Sequence, residues 1–112
     1  MKTDKEMIQL YESMYNDNML WFVLGSLISS DSFIGVKGNS LIKQYRTNIS
    51  TLKRIIKLIP KTNIPVEQKD SILNIAKDSI NILMSEHDAI VNDCVNRNII
   101  KKDKYKLYAL DV

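Results

Sequence analysis

Apolar residues recur at intervals of three and four through three long segments of the chain, the spacing of helix faces that pack against one another. The first segment opens with Thr3 and Glu6, spaced as a capping box in which hydroxyl and carboxylate each accept from a free backbone N–H. Met7, Leu10 or Tyr11, Met14, Leu20 or Trp21, Leu24 and Ile28 then fall at helical spacing. Asn16-Asp17-Asn18 interrupts them with residues of low helix propensity and predicts a kink or a break. Beyond it, Met19 to Leu24 is apolar on every side, which suits a helix either central in a bundle or covered by a second molecule.

The second segment carries the cleanest stripe: Ile42, Tyr45, Ile49, Leu52, Ile56 and Ile59 match a heptad seam. Asn39 or Ser40 is the expected cap at its start, and Pro60 marks its end. The third segment is expected to begin at Pro65, with Glu67 and Asp70 near the positive end of the helix dipole. Leu73, Ala76, Ile80, Leu83, His87, Ile90 and Cys94 form its stripe, widened by Ile72, Ile75, Ile82, Val91 and Val95 as for a helix with two neighbours. Asn96-Arg97-Asn98 is its expected end. In the tail from Ile99 to Val112, Asp103 can cap a short helix through Tyr105, Tyr108 and Leu110, and a strand is the other reading.

Glycine and proline cluster at Ser29–Gly38 and Pro60–Pro65, so the breakers separate those three segments and no others. The expectation is an all-α fold: one domain over residues 1–112, an up-down bundle of three long helices plus a short C-terminal element. Sixteen isoleucines raise β-propensity, but the spacing is helical and too few turn residues are present for a β fold.

Composition narrows the setting. With 112 residues, 45% hydrophobic and 26% charged, the chain is long enough to bury one core without staples and is not disordered in composition. Cys94 alone forms no internal disulfide, and with the lone His87 it falls short of a structural zinc site. No apolar run approaches the eighteen or so residues of a bilayer span. Asp4, Glu6 and Glu12 interrupt what a signal peptide would need, so a cytoplasmic protein is expected. Ile, Asn and Lys make up 39 of the 112 residues, and all three can be encoded with A and T alone. That bias suggests a low-GC bacterium, its phage or a mobile element, and it discounts arguments from lysine content.

Charge is spread unevenly. Residues 32–66 hold seven Lys or Arg and no acid, whereas residues 1–31 hold five acids against two bases and residues 67–100 six acids against three bases. On a helical wheel Lys43, Arg46, Lys53, Arg54, Lys57 and Lys61 occupy an arc of roughly 100°, lateral to the Ile/Leu seam. Such a strip suits the phosphates of a nucleic acid, an anionic membrane or an acidic protein. It suits equally well the acidic first and third segments of the same molecule, and no aromatic residue except the seam's Tyr45 lies in the segment to supply stacking.

Catalytic patterns are sparse. In the cluster Glu86-His87-Asp88, the two acids project about 100° to either side of the imidazole, and Cys94 lies two turns, or ~10 Å, further on. That separation is too large for a Cys–His nucleophile pair, so His87 and Cys94 read as core or boundary residues. Gly35-Val36-Lys37-Gly38-Asn39-Ser40 lacks the phosphate-loop pattern, and no ExxH or ExxE pairs mark a di-metal bundle. No metal, no cofactor and no enzymatic activity are expected.

The leading expectation is therefore a small protein-binding module, a regulator, inhibitor or adaptor acting as a homodimer. Met14, Leu20, Trp21, Phe22 and Leu24 are its candidate contacts, because Met and aromatic side chains are enriched at interfaces and a bundle this small covers few faces. The alternative is a nucleic-acid-binding regulator using the basic strip. An immunity- or antitoxin-like role is suggested by size and coding bias alone.

Overall fold

Thr3 and Glu6 close the capping box as expected: the Glu6 N–H donates to the Thr3 hydroxyl at 3.2 Å and the Thr3 N–H to the Glu6 carboxylate at 3.1 Å. They start α1, Asp4–Asn16, in a computed structural model that describes residues 1–29 and 33–109. The helix does not continue to Ile28. Asn18 turns left-handed (φ +59°), and the N–H groups of Asn18 and Met19 donate back to Tyr15 and Met14 at 3.1 and 2.8 Å. This is a Schellman C-cap, with asparagine in the position glycine usually fills. A new helix, α2, Leu20–Ile28, follows at once.

In place of the expected three long helices, the described residues form four α-helices, of which α3, Gly38–Leu58, and α4, Val66–Asn96, are long. The cap expected at Asn39 or Ser40 is absent. Lys37 stands at the N-cap without a side-chain bond, and Gly38 enters the helix at φ +57°, a conformation that strains any residue with a side chain. A single 3-10 turn, Ile59–Lys61, closes α3 at Pro60, and Pro65 stands at the N-cap of α4, so the helix begins one position after the expected start. Asn98 repeats the device of Asn18. At φ +60°, it and Ile99 donate to Val95 and Cys94 at 3.0 and 2.9 Å and end α4.

α3 and α4 form an antiparallel hairpin that is the frame of the molecule. Tyr45 meets Glu86, Arg46 meets His87, and Ile42 packs with Val91 and Cys94, so residue numbers sum to a near-constant along the seam. Thirty-one residues of α4 at 1.5 Å each give about 46 Å, matching the 47 Å long axis. The seam is buried at Ile42, Tyr45, Ile49, Leu52 and Ile59, with Ile55 and Leu58 added and Ile56 half-buried. On α4 the buried line is Ile72, Ala76, Ile80, Leu83, His87, Val91 and Cys94; the widening residues Ile75 and Ile82 are exposed. α1 and α2 lie against this hairpin through Tyr11, Leu20 and Leu24, and the Glu12 carboxylate accepts from the Asn63 N–H of the loop at 2.8 Å.

The tail up to Ala109 is neither helix nor strand. Asp103 takes φ +66° and caps nothing, and Leu110 lies outside the described residues. The segment instead folds back over the far end of the hairpin, where Ile100 joins Ile42, Val91 and Cys94 in a second small core flanked by Tyr105 and Leu107.

Candidate functional site

The break at Asn18 decides how the first candidate surface is built. It re-aims α2 so that Leu20 and Leu24 are 1% and 2% exposed in the core, which removes them from the set of available contact residues. Met14 is half-buried against the same core. Phe22 is 76% exposed and Trp21 37%, with Met19 beside them at the helix start. Adjacent helix positions point about 100° apart, so a helix lying on one neighbour buries one of these large residues and presents the next.

Trp21, Gly25 and Ile28 follow one another at helical spacing along α2. Ile28 lines a cleft of about 140 Å³ shared with Phe33, Ser79, Ile82, Leu83 and Glu86. Ile75, Ser79, Ile82 and Glu86 are a single edge of α4, and Ile82 is 59% exposed there. The position where a Gly25 side chain would stand is open space. Beside the cleft, Phe33 stacks on Tyr45 with ring centroids 4.1 Å apart, and the Tyr45 hydroxyl donates to Glu86 at 2.6 Å. Burial first, and the Glu86 carboxylate second, push the Tyr45 phenol above its ordinary pKa, so it remains a donor.

The basic strip is divided among three tasks. Arg54 donates to the Lys2 carbonyl at 2.6 Å and to Asp4 at 3.2 Å, while Lys57 reaches the other Asp4 oxygen at 3.3 Å. Those bonds, Lys57 first, hold the Asp4 carboxyl below its ordinary pKa. The pairing of basic second segment with acidic first segment is thus present. Among the described residues, no cation of the strip forms a salt bridge with an acid of α4. Arg46, half-buried, donates to the Lys106 carbonyl at 3.2 Å and stands about 5.5 Å from the ring centres of Tyr105 and Tyr108. Lys53 lies 5.1 Å over Tyr108, and Lys43 and Lys61 are exposed.

His87 and Asp88 belong to the docking of the tail. Arg46 Nη1 lies 3.4 Å from His87 Nε2, and a guanidinium has only donors, so Nε2 accepts and Nδ1–H donates to Asp88 at 2.8 Å. The two Asp88 oxygens also accept the N–H groups of Tyr108 and Ala109 at 2.9 and 2.8 Å. Burial raises the Asp88 pKa, but the His87 and backbone donors outweigh it and hold the carboxyl below 3.8. Burial in turn holds His87 below 6.5, against the opposing pull of Asp88. The ring is fully buried in a T-shaped contact with Tyr108, ring centroids 4.7 Å apart, so its nitrogens serve the tail. Cys94 is buried in the second core, and among the described residues no three His, Cys, Asp or Glu side chains gather as a metal group.

Two functional-looking residues escaped the sequence. Asn48, buried, donates from Nδ2 to the Leu27 carbonyl at 3.1 Å and accepts from Gln44 at 2.9 Å, satisfying a carbonyl at the end of α2. Its only sequence signal is a polar residue next to the seam position Ile49. Tyr108 brings an aromatic ring to the basic strip from sixty residues away, and nothing local announces that. Among the described residues no helix is long and apolar enough to cross a membrane. No family model, curated protein or solved structure matches the chain.

Proposed function

We propose that the chain is a helical protein-binding module, a regulator, inhibitor or adaptor, whose contact face is the outer side of α2 with the adjoining edge of α4. The observation that carries this reading is Phe22, 76% exposed on a helix that puts only Leu20 and Leu24 fully in the core. Trp21 and Met19, also exposed on α2, and Ile82, exposed on the edge of α4, add apolar area to this face, and large aromatic residues are the anchors on which binding energy concentrates. A second copy is the partner this face suits. Residues 18–29 carry no charge, so two copies approach without like-charge repulsion, and a two-fold contact sets the same patch against itself.

Light scattering across a concentration series tests this. The expected result is a dimer that Phe22→Glu and Gly25→Glu convert to a monomer of unchanged helical content. A wild-type monomer at every concentration would discard the second copy as partner.

A further inference from the structure

The outer side of α3 and the docked tail enclose an open groove of about 420 Å³ lined by Arg46, Thr47, Ser50, Thr51 and Tyr108. Three kinds of group meet there. Thr47, Ser50 and Thr51 put hydroxyls on the groove floor, and the exposed Lys43 recurs with Thr47 and Ser50 on one face of α3 at helical spacing, one turn beyond the lining. Tyr108 supplies an aromatic ring in the groove wall, with the Arg46 guanidinium 5.4 Å and the Lys53 ammonium 5.1 Å from its centre. Lys104 and Lys106, both exposed, add positive charge from the tail. The nearby carboxylate that would oppose an anion is engaged: both Asp88 oxygens accept donors from His87 and the tail backbone.

We propose that this groove binds single-stranded nucleic acid, with Lys43 and Lys53 neutralising phosphates and Tyr108 offering a stacking surface to an unpaired base. Cations that track a backbone beside an aromatic platform are the shared requirement of single-strand sites. A duplex keeps its bases stacked and out of reach of a ring set in a groove wall. A membrane surface asks for apolar residues beside the cations, and here hydroxyls occupy those positions.

Fluorescence anisotropy of the full chain with labelled oligothymidine, a mixed-sequence duplex of equal length and phosphatidylserine vesicles tests the proposal. Oligothymidine is expected to bind most tightly at low salt, with affinity falling linearly in log–log form. Lys43→Gln with Lys53→Gln should reduce that slope by about 1.4, two cations at roughly 0.7 each. Tyr108→Leu should weaken binding about tenfold and leave the slope unchanged. If Tyr108→Leu disturbs the tail, the exposed lysine pair decides alone. No binding at low salt, tighter binding to duplex or vesicles, or a slope indifferent to both lysines would overturn the proposal.

Discussion

α2 and the tail are both short segments laid on the same helical hairpin, and they differ in what fastens them: apolar burial along α2, and in the tail a small apolar core at Ile100 followed by directional bonds around Tyr108. Positions 46 and 48 of α3 are 200° apart on the wheel, so Arg46 receives the tail on one side while Asn48 receives α2 on the other. α2 is attached by burying Leu20 and Leu24, and Asn48 ties the Leu27 carbonyl near its end. The tail is fastened near Tyr108 by directional bonds, two to Asp88 and one from Arg46, in a segment with no regular hydrogen-bonding of its own. Apolar attachment tolerates leftover exposed residues, which is why Trp21 and Phe22 remain outside. Hydrogen-bonded attachment requires specific partners, and it consumed Arg46, His87 and Asp88.

That contrast can be broken on each side. The largest effect is expected from Leu24→Ala, which should cost about 3 kcal/mol in urea unfolding by leaving a cavity under α2. Asp88→Ala should cost about 2 kcal/mol, since it leaves the buried His87 Nδ1–H without its acceptor and frees the N–H groups of Tyr108 and Ala109 to solvent, and amide exchange there should accelerate while α2 is unaffected. Tyr11→Phe acts in the reverse sense. The Tyr11 hydroxyl is buried in the α1–α2 side and has no hydrogen-bond partner among the described residues, so removing it should raise stability by about 1 kcal/mol.

A smaller effect separates the two sides by pH. His87 is held neutral in the fold below its ordinary 6.5, chiefly by burial. The unfolded chain therefore takes up a proton that the folded chain refuses, and the stability present above pH 6.5 declines as pH falls below it. Asp88 adds its own loss only under more acid conditions, below 3.8, because its folded pKa is depressed. Unfolding curves should weaken as pH falls below 6.5, and His87→Gln should flatten that slope. The smallest expected change is Phe22→Ser, within about 0.5 kcal/mol for the monomer, although the same residue is central to the proposed contact.

Much of the frame was legible in order: the capping box at Thr3, the seam from Ile42 to Ile59, the break near Pro60 and the long third helix all follow from local spacing. Asn16-Asp17-Asn18 signalled a kink or a break, and the paired Asn-x-Asn pattern at 16–18 and 96–98 is the signal that distinguishes them, since each ends a helix through a left-handed asparagine. The candidate contacts were half legible. A stretch apolar on every side identifies an excess of greasy surface, but which of Leu20, Trp21, Phe22 and Leu24 points inward depends on how the cap at Asn18 aims α2.

Backbone geometry within four residues settles periods, caps and helix ends, and these the chain carries in its own order of residues. Burial and pairing depend on groups brought together from far along the chain: Leu27 with Asn48, Asp88 with Tyr108, Arg46 with Lys106. Only the tertiary structure could decide that Ile75 and Ile82 stay outside, that Arg46 is spent on the tail, and that a tyrosine stands beside the basic strip. Such contacts are governed by which surfaces meet, and spacing along a single helix holds no record of its neighbours.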